Sequence, residues 1–528
     1  MCRPERGAKT AQSVHAAYGM ICGDTIQRPQ NNTASNAGQS IVVGRKKIEL
    51  KGSELSLDVF FAGTWRLWTA ITAVFSISSL ALYARLGSKG LLRLIQSGPG
   101  SITEQTFACV AIVWLSWGVA IALLKNPRIR SERGVEIVCC LFILLLYVNI
   151  LRERIHYVDV GDYIRAAFDL QGGNPFHNRY IYPPLLATLC QPLLTFGDFG
   201  LRATLWFANI LSLIAFFWLL RAVLVQYGCG RSLSLSLVVI FMVVNVPIIR
   251  TLGYLQINLH VMNLIMLALL LFPHYRILSA LTLAVAVHLK ASPLILALPF
   301  LWARDKKWTV SFLSGLIGLV GLTFVFYGWT PFAAFLHNAG NIYSANGIVF
   351  RENSVDSLIR STAFLLGADP SSIVVIFKTP VLVLIFVTAV YNVRHRTFSE
   401  RQAIGQDILN SFPALLVLMV LASPLVWEHH PVFLAIPFVL ITKKLNTPYL
   451  WIMYIFAYLL EFLIPTFDFY PWSYGRLISP ILLTLLLLNA SRERDSDMFL
   501  YLRDRLDSFS WGPDFRPGGS ADADRVRG

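Results

Sequence analysis

The chain has 528 residues, 55% of them hydrophobic and only 14% charged, with a mean hydropathy of +0.59. Soluble domains carry about 25% charged residues, so a water-soluble enzyme, a disordered chain and a secreted disulfide scaffold are excluded, and a polytopic membrane protein fits. The 45 Lys and Arg against 30 Asp and Glu give a net charge of +15. With this hydropathy the excess points to basic cytoplasmic loops at an anionic membrane face rather than to nucleic acid.

Residues 1–64 are polar and contain no hydrophobic run, so they read as a disordered cytoplasmic tail without a cleavable signal peptide. Residues 65–490 form an integral-membrane domain of apolar stretches near 66–84, 106–124, 134–151, 183–197, 201–223, 233–250, 254–272, 278–301, 308–329, 372–391, 408–426, 429–441, 448–465 and 475–490. Most approach the roughly 20 residues that cross a ~30 Å hydrocarbon core. The stretches 183–197 and 429–441 are short enough to be tilted, re-entrant or only partly spanning. The fold class expected is therefore all-α, a bundle of about 12 to 14 transmembrane helices whose extracytoplasmic loops carry short amphipathic helices. Residues 491–528 read as a cytoplasmic tail, basic and amphipathic around Met498-Phe499-Leu500-Tyr501-Leu502.

Short-loop Lys and Arg orient the bundle. Alternating the spans puts Lys125, Arg128, Arg130 and Arg133 on one side. The same side receives Arg304, Lys306 and Lys307, then Arg394, Arg396 and Arg401, then Lys443 and Lys444. That side is the cytoplasm. Only Arg85, Lys89 and Arg93, between the first two spans, fall on the other side. The outer side receives residues 152–182, residues 330–371 and the tight connection Trp427-Glu428-His429-His430. Ionisable residues gathered at one membrane face mark a site more often than packing. The seven cysteines lack Cys-x-x-Cys spacing and mostly sit in apolar runs, so neither disulfides nor zinc are expected. No phosphate-binding loop, dinucleotide fingerprint or His-Glu-x-x-His is present.

The first outer segment carries Asp159 with Tyr163, then Gly172 through Phe176, then Tyr182-Pro183-Pro184 at the next helix start. Further along come Gly253 through Asn258, Lys290-Ala291-Ser292-Pro293, Asn353-Ser354, and Ser423-Pro424-Leu425-Val426-Trp427-Glu428-His429-His430. In this order, over about residues 135–490, the blocks resemble those of the C-type superfamily of integral-membrane glycosyltransferases, and within it glycosyltransferase family 87. That family includes polyprenyl-phosphate-mannose-dependent α-1,2-mannosyltransferases. The Tyr-Pro-Pro and Ser-Pro-x-x-Trp-x-His-His blocks are the specific ones. The segment at Gly253 departs from the family's Gly-Gln-x-Asn, and Asn353-Ser354 lacks its Gln.

The resemblance implies an inverting transfer of a sugar, mannose first, from a polyprenyl-phosphate donor to a hydroxyl of a glycolipid or glycan. The reaction is expected on the extracytoplasmic face of a bacterial cytoplasmic membrane, with no cofactor. A single displacement needs a base for the acceptor proton, and a carboxylate suits that task. Asp159 is the candidate, its alternative being a capping or solvated Asp. Asp162, three residues on, shares its helix face. It can be the base instead, or the two can hold a Mg²⁺, which the resemblance does not imply. The leaving phosphate wants cationic or hydrogen-bonding partners, for which His429, His430 and Lys290 are candidates. An ammonium within an apolar run costs about 3 kcal/mol unless it faces a cavity or partner. At about 1.5 Å per residue, Lys290 lies about 20 Å from the cytoplasmic edge marked by Arg304, towards the outer leaflet.

Tyr163, Tyr182, Asn353 and Arg351 complete the expected substrate-binding set. Arg351 and Arg360 read more readily as surface charges than as phosphate ligands; the alternative for the His pair is an interfacial anchor, and for Lys290 snorkelling or pairing with a helix carbonyl. Gln256 and Asn258 read as helix-to-helix hydrogen bonds rather than sugar contacts. The expected partners are membrane lipid, donor and acceptor, and no nucleic acid. A transporter or flippase is the competing class, but paired broken helices around midplane charges and half-to-half symmetry are not apparent in the sequence.

Overall fold

The computed structural model describes residues 133–151, 158–341 except 244, 352–367, 401–464 and 470–489. It adds scattered positions between 65 and 122 and between 373 and 387. The chain divides into Met1–Leu50 and Lys51–Gly528, and every described residue belongs to the second unit. Both tails, 1–64 and 491–528, and Arg351 lie outside the described residues.

Among the described residues every regular element is helical. In chain order these are α1 (Arg133–Leu151), α2 (Val158–Gln171), α3 (Pro184–Cys190), α4 (Gly197–Gln226), α5 (Arg231–Val243), α6 (Val246–Gly253) and α7 (Asn258–Leu271). They continue with α8 (Arg276–Leu289), α9 (Lys306–Tyr327), α10 (Thr330–Gly340), α11 (Val355–Leu365), α12 (Arg401–Ala422), α13 (Ala435–Ile441) and α14 (Pro448–Phe462). A last apolar helix runs over Ser473–Asn489. Central α7 packs between α4 and α8, and α8 packs along α9. Gly315 permits that last approach, since a Cβ there would lie 2.9 Å from Leu281 and 3.1 Å from Ala284.

Among the described residues two stretches are long and apolar enough to cross a membrane, Pro184–Gln226 and Lys306–Tyr327. A third arises if α5 and α6, bent by 60°, count as one span. Only 11% of the most apolar window of α9 is buried, and Ile317 and Val325 are 72% and 78% exposed. A helix apolar all round with so few protein neighbours fits lipid, not water. α1 divides its surface similarly, with Ile143, Tyr147 and Leu151 buried and Val138 and Leu145 outward.

The expected spans at 66–84, 106–124 and 372–391 lie largely outside the described residues, and among the described ones several apolar runs are cut by local chemistry. The expected stretches 183–197 and 201–223 merge into one run, broken by a 3-10 turn over Gln191–Phe196 and by Gly197 at φ 70. Within 233–250, the Asn245 side chain accepts from Ile248 N at 3.0 Å and Pro247 follows in the first turn, starting a new helix. Tyr147 Oη donates to Met242 O at 2.5 Å, tying α1 to the end of α5 beside this break. Within 278–301, Lys290 adopts extended dihedrals (φ −152, ψ 124) and Ser292–Ala297 forms a 3-10 turn containing Pro293. The stretch 429–441 opens with a 3-10 turn over His430–Leu434. Helices of 14 residues such as α7 and α8 rise about 21 Å, short of a ~30 Å core.

Glu136 of α1 pairs with Arg221 of α4, both side chains nearly buried. Glu136→Ala strands Arg221 without its countercharge and is expected to cost about 3–5 kcal/mol. That loss is read as a lowered melting temperature in detergent, and Glu136→Leu with Arg221→Met should recover most of it.

Candidate active site

α2 puts Asp159 in its first turn, where a carboxylate complements the helix dipole. Tyr163, one turn on and sharing that face, is fully buried. After α2 the chain turns at Gly172-Gly173 and returns through Tyr180 to Pro183-Pro184, which start α3. Proline cannot supply an N–H there. The Tyr180 hydroxyl accepts from Ala187 N at 3.1 Å, satisfying the first turn of α3. Phe176, Tyr180, Tyr182 and Tyr163 pack as a chain of rings with successive centroids 4.6, 5.7 and 5.4 Å apart.

One amide joins these elements to the turn between α6 and α7. Gln256 Nε2 donates to Asp159 Oδ2 at 2.5 Å. Its Oε1 accepts from Tyr163 at 2.8 Å and from Tyr182 at 3.1 Å. Gln256 is aimed by the end of α6, where Gln256 N bonds back to Thr251 O at 2.8 Å and Leu255 takes φ +53. This closure usually employs glycine. A leucine in the left-handed region costs about 1–2 kcal/mol, and here that strain sits next to the residue holding Asp159.

A second group lies on the facing elements. Lys290 Nζ donates to Asn258 Oδ1 at 2.8 Å, lies 2.8 Å from His430 Nε2 and sits 5.4 Å over the Phe433 ring. His430 Nδ1 accepts from Trp427 N at 2.9 Å. A neutral imidazole then carries its hydrogen on Nε2. Two donors therefore face each other at Lys290 and His430, and an anionic oxygen beside them would accept from both. The groups around Asp159 and Lys290 are electrostatic neighbours. Burial raises the Asp159 carboxyl above its ordinary range; the Gln256 bond lowers it, Asp162 raises it, and the Lys290 charge lowers it again.

The connection bearing the His pair is fixed at every residue. Glu352 Oε1 accepts from Val426 N at 3.1 Å, and Asn353 N donates to Val426 O at 2.7 Å. Glu428 pairs with Arg250 at 2.8 Å and lies 4.0 Å from Arg476. The His429 carbonyl accepts from Thr251 at 3.4 Å and Asn258 at 3.5 Å. The buried His429 ring stacks on His430 with centroids 4.6 Å apart.

The structure thus joins Asp159, Tyr163 and Tyr182 through Gln256, and Lys290 with His430 through their own contact. Asn353 is buried and holds the His connection by its backbone. Asp162 is engaged elsewhere, its Oδ1 lying 3.3 Å from His177 Nε2. Gln256 and Asn258 do bond between elements, yet what they hold are the candidate residues. Arg250, Glu352, Glu428, Glu461 and Arg476 were missed. Arg476 and Glu461 are buried ionisable residues inside apolar runs, and the rule that singles out Lys290 would have found them. Among the described residues no group of three His, Cys, Asp or Glu is arranged to hold a metal ion.

His177 Nδ1 also lies 3.1 Å from Asp169 Oδ2, so both ring nitrogens face carboxylates. Burial alone would lower its pKa, but the bonds and charges of Asp162 and Asp169 outweigh that and raise it. Asn338 of α10 donates to the carbonyls of His177 and Tyr180 at 2.9 and 3.0 Å, fastening the same loop. A raised pKa gives stability that is complete below the ordinary ~6.5 of histidine and fades as pH rises through the folded value. Melting temperature is therefore expected to fall from pH 6 towards pH 9 in the wild type, and to fall less in His177→Gln.

The family model of glycosyltransferase family 87 matches residues 180–424. The match includes Tyr182, Gln256, Asn258, Lys290 and Asn353; Asp159, Tyr163 and the His pair lie outside it. No curated protein and no solved structure matches the chain. Residues 180–424 of the chain thus match a glycosyltransferase family 87 domain.

Proposed function

We propose that the chain is a multi-pass enzyme of about 12 to 14 spans that moves mannose from a polyprenyl-phosphate donor to a hydroxyl of a glycolipid or glycan, with inversion, on the extracytoplasmic face. The observation that carries the reading is the pairing of two groups. A carboxylate is held by Gln256, and close by Lys290 and His430 lie 2.8 Å from each other, two nitrogen groups able to donate to an anion.

Ionised Asp159 takes the proton of the acceptor hydroxyl as that oxygen bonds to the anomeric carbon. The bond from that carbon to the phosphate oxygen breaks, and the electron pair leaves with polyprenyl phosphate. Lys290 and His430 donate to the phosphate oxygens, where a low-dielectric setting strengthens each bond. Tyr163 and Tyr182 act through Gln256, keeping the carboxylate oriented. Asp162 is excluded from the role of base in this reading by its bond to His177.

Asp159→Asn should lower transfer about a hundred- to ten-thousandfold while donor binding persists, measured with membranes and radiolabelled polyprenyl-phosphate mannose. Full activity in that variant would remove Asp159 as base. No labelled product from the wild type would remove the donor assignment. Since the ionised carboxylate is the active form, kcat/KM should fall on acidification along a limb lying above the ~3.9 of free aspartate. Lys290→Met should raise the donor KM about tenfold or more, the loss of one charged hydrogen bond.

A further inference from the structure

The Gly-Gly-Asn-Pro turn after α2 takes no part in the chemistry above, yet it is built with care. Gly173 has φ +68, which a side chain rarely tolerates. Gly172 is bare for a different reason, since a Cβ there would lie 2.7 Å from Asn174 Nδ2. The two glycines let the Asn174 side chain fold back over the turn. That side chain borders a cavity of about 370 Å³, open to solvent, between the turn, the 3-10 segment after α3 and the α9–α10 junction. The size falls in the range of small-molecule sites, about 300–1,000 Å³.

The lining is polar and carries no charge. Gln171, Asn174, Gln191 and Thr330 supply amides and a hydroxyl, and Phe326 and Tyr327 supply rings. Tyr327 donates to Gln191 Oε1 at 3.4 Å, which leaves the Gln191 amide hydrogens for another acceptor. The side chains of Gln171, Asn174 and Thr330 make no hydrogen bond with the described residues. Mixed donors and acceptors beside aromatic rings match a ligand whose every polar group is a hydroxyl, able both to give and to accept. A phosphate or carboxylate would find no cation here, whereas Lys290 waits elsewhere.

We infer that this cavity is a saccharide-binding subsite for the neutral glycan part of the acceptor, remote from the reacting hydroxyl. The assignment rests on the proposed transfer at Asp159. Asp159 opens α2 and Gln171 closes it, about 18 Å apart at ~1.5 Å per residue. A donor whose phosphate sits by Lys290 and whose sugar sits by Asp159 leaves this distance to the acceptor alone. The subsite therefore favours extended acceptors over a single sugar.

The test uses the full chain in detergent, titrated with neutral α-1,6-mannotetraose and maltotetraose and read by saturation-transfer NMR. At least one tetrasaccharide should bind, inorganic phosphate should not displace it, and Asn174→Ala or Gln191→Ala should weaken it about tenfold. Gly172→Ala should weaken it too, by displacing Asn174. Asp159→Asn should bind the tetrasaccharide as the wild type does, so failure of the proposed base and failure of the subsite give different results. Matching melting temperatures show that the exposed-site variant Asn174→Ala is folded. The inference is overturned if neither tetrasaccharide binds, if folded Asn174→Ala and Gln191→Ala bind like the wild type, or if phosphate competes.

Discussion

A side-chain amide can donate and accept at once, and the candidate site depends on one amide doing both. Gln256 gives a hydrogen to Asp159 and takes hydrogens from Tyr163 and Tyr182. A glutamate there could only accept, and would repel the carboxylate; a leucine would leave two buried hydroxyls and a carboxylate unpaired, each costing about 1–3 kcal/mol. Because Gln256 lies between α6 and α7 and its three partners lie in α2 and just before α3, the same bonds that orient the carboxylate also tie these elements together. The left-handed Leu255 beside it is tolerated because the surrounding packing over-determines that turn.

The helix breaks follow a related rule. Backbone at membrane depth must be satisfied within the protein, so irregular segments persist there only when buried or lining a cavity. The breaks at Asn245, Leu255, Lys290 and His430 keep backbone groups paired within the protein. Asn245 caps the helix that follows, and Lys290 N still bonds to Ala286 O at 3.0 Å. His430 N bonds to Trp427 O at 2.9 Å. Three of the four lead directly into site residues. Interrupting a helix frees a side chain from helical spacing, which is how Gln256, Lys290 and His430 come to face their partners.

The charges divide the same way. Glu428, Arg250 and Arg476 form a network that fixes the His connection from behind, while Lys290 faces Asn258 and His430 in front. Buried ion pairs add little net stability against apolar packing. What they provide here is position. The carbonyl of His429, held from α6 and α7, sets the backbone on which His430 is mounted.

Much of this was legible in the sequence. Hydropathy points to the membrane class, since no soluble fold hides so much apolar surface. Asp159, Lys290, Tyr182 and His430 stand out because polar groups amid apolar runs are costly and kept for a reason. Periodicity could not reveal that apolar runs such as 233–250 and 278–301 are each two elements, because a helix break leaves hydropathy unchanged. Nor could it rank Gln256 above an ordinary interhelical amide, or set Asp162 beside His177. Those outcomes depend on which atoms meet across residues 97 and 15 positions apart in the chain. The sequence by itself determined the solvent this protein lives in and the residue types available for its chemistry. Only the tertiary structure decided which of them share a hydrogen, because a hydrogen bond is a matter of a few tenths of an ångström and hydropathy carries no distance.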